Sequence, residues 1–326
     1  MTRGISFVIP VLNESPSLLQ LYKEIRAVSE SHHYDYEIVF VDDGSTDDSW
    51  QVIKKLANED PRIKALRFRR NFGKAAALMA GFSRATKPFV LTMDADLQDD
   101  PAETPNFLAE IDKGVDLVSG WKKVRHDPWH KVLPSRVFNW LVGAMTGVRL
   151  HDHNCGMKCY RREVLQEITI YGELHRFIPV LAGARGFRVS EIVIHHRPRQ
   201  YGHSKYGVER FIKGFLDLLT VRFLTGFGVR PQHFLGSIGL IAFLIGGLIL
   251  TFLAVEWGTS RIIPGMGVVY LRDRPIVIYS LGLLLLGAQL MSVGFLAELL
   301  TAYHIKHEKT YSLAEEIGQG PADAKP

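Results

Sequence analysis

Hydrophobic and polar positions divide this chain near residue 230. Before that point, short apolar runs alternate with segments whose apolar positions recur at helical spacing. "GISFVIPVL" reads as a buried strand, followed by Ser15 as a helix cap and Pro16 in the first turn. Leu18, Tyr22 and Ile25 then mark the buried face of that helix. "YEIVFVDDGSTDDS" repeats the arrangement, with Trp50, Ile53 and Leu56 on the next helix face. "IKALRF", "PFVLTMDAD" and "DLVSG" predict three more strands, with a helix through "KAAALMAGFSRA". Strands alternating with helices imply an α/β fold: a Rossmann-like, mostly parallel sheet with helices on both faces. Residues 120–205 are less regular and rich in basic residues and histidine.

Beyond residue 230 the pattern changes. No Asp, Glu, Lys or Arg occurs between Arg230 and Glu256, nor between Arg274 and Glu298. Each run exceeds the roughly 20 residues that cross a bilayer core as a helix, and "FLGSIGLIAFLIGGLILTFLAV" has no polar face. Spans at about 232–255 and 275–297 are therefore expected inside a membrane region of 231–300, with a polar tail over 301–326. Residues 207–230 carry a broad apolar face with scattered charges, which predicts amphipathic helices at the bilayer surface. The N-terminus enters a strand at once and lacks the features of a signal peptide. An integral membrane protein with a cytoplasmic domain over 1–206 follows, its tail returning to the same side. Its two cysteines, Cys155 and Cys159, are expected as reduced thiols. The net charge of +5 suits work beside anionic lipid or on phosphates, and does not by itself indicate nucleic acid.

Three polar clusters, "NES", "DDGSTDD" and "DADLQDD", fall at predicted strand ends and should converge there. Asp94 and Asp96 flank one alanine after a fully apolar strand. Hard oxygen donors of this kind suit Mg²⁺ or Mn²⁺, with substrate phosphates completing the shell. Gln98 would add a carbonyl ligand. Asp42 or Asp43 would accept hydrogen bonds from a nucleoside. Ser45 or Thr46 would cap the following helix, with Asp47 and Asp48 facing its dipole. Asn13 and Glu14 read first as turn residues. No phosphate-binding loop of the usual types is present: "NFGKAAA" lacks the earlier glycine and the Ser/Thr. His151, His153, Cys155 and Cys159 raise a zinc reading, but no second pair of finger type follows, and core packing explains them better. Gln289 and Ser292 read by default as helix–helix hydrogen bonds.

These turns, in this order, resemble the family 2 glycosyltransferases of GT-A fold. The residues carrying the likeness are "VIPVLNE", "VDDGSTDDS", "RNFGKAAALMAGF", "DADLQDDP" and "HDHNCGMKCYRREV". "YGELHRFIPVLA" and "RPRQYGHSKYG", followed by two spans, are most similar to the bacterial branch of the polyprenyl-phosphate glycosyltransferases. The resemblance implies that Asp94, Asp96 and Gln98 serve the metal and the nucleotide diphosphate, with Ala95 between them. It implies nucleoside contacts at Pro10, Asn13, Glu14, Asp42 and Asp43, and basic residues Arg199 and Lys205 closing over the phosphates. Asp152 matches the active-site aspartate, as an orienting group or a base.

The implied reaction is inverting transfer from a nucleotide-sugar, UDP-glucose first, to a polyprenyl phosphate. Acceptor phosphate candidates are Lys131, Ser135 and Arg136, which read equally as snorkelling residues at the bilayer surface. Lys122 and Lys123 are further candidates for the donor. The competing readings are a processive polysaccharide synthase, disfavoured by the missing Q-x-x-R-W motif and the small number of spans, and a non-catalytic membrane scaffold. Bacterial inner membrane and a homo-oligomer complete the expectation.

Overall fold

A computed structural model of the protein describes residues 3–123, 129–198, 209–226, 231–263, 267–272 and 274–305. It divides into two units, Met1–Arg222 and Phe223–Tyr311.

In the first unit, β1 (Gly4–Val11), β2 (Asp35–Asp42), β3 (Ile63–Arg67), β4 (Phe89–Thr92) and β5 (Leu117–Trp121) follow the predicted apolar runs. Two further strands were not foreseen: β6 (Lys158–Arg161) and β7 (Val189–Val193). Together they form a seven-stranded sheet of order β3-β2-β1-β4-β6-β5-β7. All pairings are parallel except those of β6, which runs against both β4 and β5. The order turns back beside β1: the chain first builds outward to β3 and then returns to place β4 on the other side. The crevice at such a reversal is where open α/β sheets bind ligands.

Alternate residues of the strands face opposite layers, as a pleat requires. Ile5, Phe7 and Ile9 meet Leu18, Leu21 and Ile25 of α1 (Ser15–Ser31), Ile53 of α2 (Ser49–Glu59) and Phe107. Val8, Val39 and Val41 meet Ala77, Leu78 and Phe82 of α3 (Lys74–Arg84). A side chain at Gly81 would put its Cβ 2.3 Å from Val8 Cγ1, so α3 approaches β1 more closely than any larger residue permits. The first unit also contains α4 (Thr104–Asp112), α5 (Trp129–Thr146), α6 (Arg162–Glu167) and α7 (Ile178–Ala184).

One helix, α8 (Glu209–Gly226), accounts for the amphipathic segment. Leu218 and Val221 are fully buried in the second core layer, while Phe215, Leu216 and Leu219 are exposed. In the second unit, α9 (Pro231–Ile262) and α10 (Pro275–Ile305) are long and apolar enough to cross a membrane over Pro231–Ile262 and Pro275–Leu300. Their backbones touch at glycines: a Cβ on Gly239 would lie 2.7 Å from Gly287 O, and one on Gly246 would lie 2.6 Å from Ser280 O. Small residues at such points let membrane helices pack by close approach. Arg274 forks onto Glu256 at 2.6 and 3.1 Å at one end of the pair, and Gln232 N donates to Glu298 at 3.2 Å at the other. The expected interhelical bond at Ser292 is absent; its hydroxyl donates back to Ala288 O within α10. Gln289 is exposed.

Candidate active site

The polar turns after β1, β2 and β4 and the N-terminus of α3 are joined by hydrogen bonds at one rim of the sheet. Asn13 adopts a left-handed backbone, φ 58°, which asparagine tolerates. Its side-chain Oδ1 accepts from Thr46 N at 2.8 Å, and its backbone N–H donates to Ser45 Oγ at 3.0 Å. Glu14 N donates to Ser49 Oγ and Ser15 N to Asp47 Oδ2. The β2 turn therefore caps α1. This differs from the expected local caps: Ser45 and Thr46 serve the β1 turn, and α2 begins only after Asp48, with Asp47 accepting from Ser49 N at 3.0 Å. Similarly, α1 begins at Ser15 with Glu14 in the cap position.

Asp43 reaches onward to the next loop. Its two oxygens accept from Phe72 N at 2.7 Å and Gly73 N at 3.0 Å, fixing the entry to α3. Asp42 is fully buried; Oδ1 accepts from Ser45 N and Oδ2 lies 3.3 Å from Arg67 Nε. Both carboxylates of "VDDGS" thus help to shape the rim beside which the nucleoside is expected. Gly44 is required directly after them: at φ 75°, a Cβ would stand 2.4 Å from Arg70 C.

The DAD turn begins two residues beyond β4. Asp94 is about one-third exposed and ion-paired to Lys74, the first residue of α3. Burial raises its carboxyl pKa, but Lys74 and then Lys122 more than offset this and hold it at about 2. Asp96 is nearly buried and accepts from Gln98 N at 3.2 Å. Between them Leu97 is fully buried with φ 62°, a backbone a branched side chain adopts only when its surroundings enforce it. Behind the turn, fully buried Asp99 accepts from Asp94 N at 3.3 Å and pairs with Lys122 Nζ at 3.2 Å. The ammonium of Lys122, expected on the donor, points inward to this carboxylate. Burial lowers its pKa, but Asp99 and other acids outweigh it and raise the value overall. Lys123 is exposed, its Nζ 5.7 Å from the Trp121 ring. The chain after β7 crosses the same turn: Arg197 N donates to Gln98 O, and its guanidinium pairs with Glu24 at 2.7 Å and Asp100 at 2.8 Å. Gln98 Nε2 lies 3.4 Å from His196 Nε2.

The opposite wall comes from the loop before β6. Because β6 is antiparallel, its first residue, Lys158, pairs with Thr92, the last of β4. That brings Asp152 and Gly156 to the rim. A Cβ on Gly156 would fall 2.6 Å from Asp94 Oδ2, so the two segments are in contact there. Asp152 is 2% exposed, its Oδ1 accepting from Asn154 N at 3.1 Å. His151 stacks on Trp121 at 4.0 Å, and Glu191 of β7 binds both its ring Nδ1 and its backbone N–H. Lys158, also buried, donates to Cys155 O. Burial, then Lys74, Arg176 and Lys158, drives the His175 pKa down to about 2, with Asp94 pulling the other way. Both cysteines are free and buried. The zinc reading falls with them: among the described residues no three His, Cys, Asp or Glu gather around a metal position.

The expected residues therefore separate into groups. Asp94, Ala95, Asp96 and Gln98 share one turn, beside Gly156 of the Asp152 loop. Pro10, half-buried in β1, and Asn13 and Glu14 lie at the adjoining end of β1. Ser135 is half-buried and Arg136 exposed on α5. A half-open cavity of about 370 Å³ lies farther along the same helix, lined by Asn139, Trp140, Gly143, Arg149, Leu150 and His151. Arg199, Lys205 and the side chain of Lys131 lie outside the described residues. Lys74, Glu191, His175 and Arg197 were not singled out from the sequence. The "NFGK" loop held a signal for Lys74, since a lysine opening a helix beside an acidic turn invites a charge pair. The others depend on partners distant along the chain.

The donor set at the DAD turn fits a divalent ion held by one or two carboxylates, with phosphate and water completing its shell. It does not fit a cage built wholly from protein groups.

Residues 6–169 match the family described as glycosyl transferase family 2. Dodecaprenyl-phosphate galacturonate synthase of Rhizobium johnstonii is 36% identical over 309 residues, covering 93% of this chain and 89% of that protein. Undecaprenyl-phosphate 4-deoxy-4-formamido-L-arabinose transferase of an Enterobacter species is 34% identical over 295 residues, covering 90% and 87%. Among solved structures, glucosyl-3-phosphoglycerate synthase of Mycobacterium tuberculosis, crystallised with Mn²⁺, UDP-glucose and phosphoglyceric acid, superposes with a TM-score of 0.53 at 17% identity, covering 68% of this chain and 79% of that one. That last likeness concerns the fold. With the family match and relatives of this identity along nearly its whole length, the chain belongs to glycosyl transferase family 2, among relatives that act on polyprenyl phosphates.

Proposed function

We propose that this enzyme transfers a sugar from a nucleotide-sugar to a polyprenyl phosphate, with inversion at the anomeric carbon, giving a polyprenyl-monophosphate sugar. The observation that carries the reading is the rim itself: Asp94 and Asp96 in one strained turn at the sheet's switch point, with Asp152 on a loop in contact with that turn.

A divalent cation bound there would stabilise the negative charge that develops on the departing nucleotide diphosphate. Asp94 and Asp96 would hold it, and Gln98 would add its amide oxygen. The remaining work belongs to the chain. Asn13, Glu14 and Pro10, at the end of β1, border the place for the nucleoside. Arg199 and Lys205 would close on the phosphates. The acceptor is a phosphate monoester whose second pKa is about 6, so it is already largely dianionic at neutral pH. It needs alignment more than deprotonation. Asp152 takes the orienting role.

On the acceptor side, α5 has no acidic residue, and its Ser135 and Arg136 precede an exposed Trp140 at the cavity. The phosphate would meet Lys131, Ser135 and Arg136, and the first isoprene units would lie along Trp140 and Leu150. The exposed apolar face of α8 suits the bilayer surface. The two candidate spans would anchor the enzyme in a bacterial inner membrane, with the catalytic unit facing the cytoplasm.

UDP-glucose remains the first donor to test. The sugars named for the relatives, galacturonate and 4-deoxy-4-formamido-L-arabinose, come next. The test supplies purified full-length protein with Mg²⁺ or Mn²⁺, undecaprenyl phosphate and a panel of labelled nucleotide-sugars. Label entering an organic-soluble, acid-labile lipid identifies the donor, and Asp96→Asn is expected to lower transfer at least 100-fold with the thermal unfolding profile unchanged. Transfer at the wild-type rate by that variant would remove the metal assignment, and failure of every donor beside an active relative would remove the function.

A further inference from the structure

The carboxylate expected to bind the metal is ion-paired to a cation of the chain itself. Lys74 Nζ is ion-paired to Asp94 Oδ1. The pair is not sealed in the core: the side chains are 31% and 34% exposed. Asp96, on the same turn, is nearly buried. The other lysine behind the turn, Lys122, is occupied by Asp99. Lys74 thus lies at the open side, where an incoming metal and diphosphate would arrive.

Its placement is built by the surrounding chain. Asp43 holds Phe72 N and Gly73 N, which fixes the first turn of α3 and with it the root of the Lys74 side chain. Gly156 leaves the opposite side of the Asp94 carboxylate without a side chain, so that carboxylate is walled by backbone on one side and by the ammonium on the other. A lysine is suited to exchange between partners. Its charge is a compact point on a flexible stem, unlike the planar fork of arginine.

We propose that Lys74 is a resident counter-ion for Asp94 that a divalent cation displaces, and that the displaced ammonium moves onto the diphosphate of the bound nucleotide. The proposal rests on the glycosyltransfer reading of this site. It makes metal and nucleotide binding mutually dependent. Metal alone must compete with Lys74 for Asp94, whereas metal arriving with a diphosphate gives Lys74 a new anionic partner. The free enzyme would then keep its acidic turn neutralised and bind little metal until nucleotide is present.

The test measures Mn²⁺ binding to full-length protein in detergent, by the electron paramagnetic resonance signal of free Mn²⁺, with and without UDP. Lys74→Met should bind Mn²⁺ alone about tenfold more tightly than wild type, because the competitor is gone, and Asp94→Asn in the same chain should cancel that gain. Added UDP should tighten Mn²⁺ binding at least tenfold more in wild type than in Lys74→Met. Lys74→Arg, which keeps the charge, should retain weak binding of Mn²⁺ alone. Unchanged or weaker Mn²⁺ affinity in Lys74→Met, or an equal UDP effect in both proteins, overturns the proposal. If Lys74→Met does not fold, Lys74→Gln is read by the same criteria. Lipid-linked transfer by wild type is scored separately: its failure removes the enzymatic reading, whereas transfer with unchanged metal binding removes only the counter-ion.

Discussion

At the scale of single residues, the rim is a set of charges whose partners are fixed by burial. Asp99 is the clearest case. A fully buried carboxylate is tolerable only when paired and hydrogen-bonded, and Asp99 has both Lys122 and the amide of Asp94. Leu97 shows a related trade. A left-handed backbone costs a non-glycine residue about 1–3 kcal/mol, whereas removing a buried leucine side chain costs about 2–5 kcal/mol. The second exceeds the first at most sites, which explains why leucine holds the turn. His153 is different. It is fully buried and neither ring nitrogen has a hydrogen-bond partner among the described residues. Burial, and then Lys158, lowers its pKa to about 4. In the unfolded chain the ring protonates near pH 6.5. Between those values the unfolded state binds the extra proton, so stability falls as the pH drops from 6.5 toward 4. His175, lowered to about 2, extends the loss to still lower pH. Thermal unfolding followed across this range should show the decline. His153→Leu should flatten it by an amount on the order of 2–3 kcal/mol at pH 4, while an identical slope in that variant would remove His153 as a cause.

At the scale of elements, the structure explains what the sequence could and could not disclose. Strands β1 to β5 were legible because each is an apolar run bounded by polar turns, and β1 and β2 are buried on both faces. β6 and β7 were not. "KCYR" is four residues long with a charge at each end, and "VSEIV" is only partly buried along its length. The convergence of the acidic turns was readable from strand ends alone. Their partners were not: Lys74 and Asp94 are twenty residues apart, and Asp99 and Lys122 lie on loops separated by α4 and β5. Nothing in local periodicity marks which lysine turns inward. The two apolar helices were legible as such, although each runs seven or eight residues beyond its expected span, and their glycine contacts needed coordinates. Gly239→Leu would force a side chain against the Gly287 backbone. Thermal unfolding in detergent should show loss of stability of about 2 kcal/mol or more, with Gly247→Leu, whose nearest neighbour atom is 3.9 Å away, as a tolerated control. Equal stability of the two variants would argue against close backbone packing.

At the scale of the whole molecule, the proposal assigns the catalytic unit and the tail to one side of the membrane and the 263–274 loop to the other. Reporter fusions check this directly. An alkaline phosphatase fused after residue 326 should be inactive, and one inserted in the loop near residue 268 should be active; the reverse pattern would reject the orientation. Seen over its full length, the enzyme draws its rim from segments between residues 10 and 197, so no short piece of sequence encloses the site. The backward-running β6 gives this a mechanical meaning. The segment bearing Asp152 is fastened, four residue pairs deep, to the strand that launches Asp94. Sliding one of these carboxylates past the other would mean breaking that ladder. The frame around the proposed site is therefore stiff, and any opening and shutting there falls to parts of the chain outside this ladder.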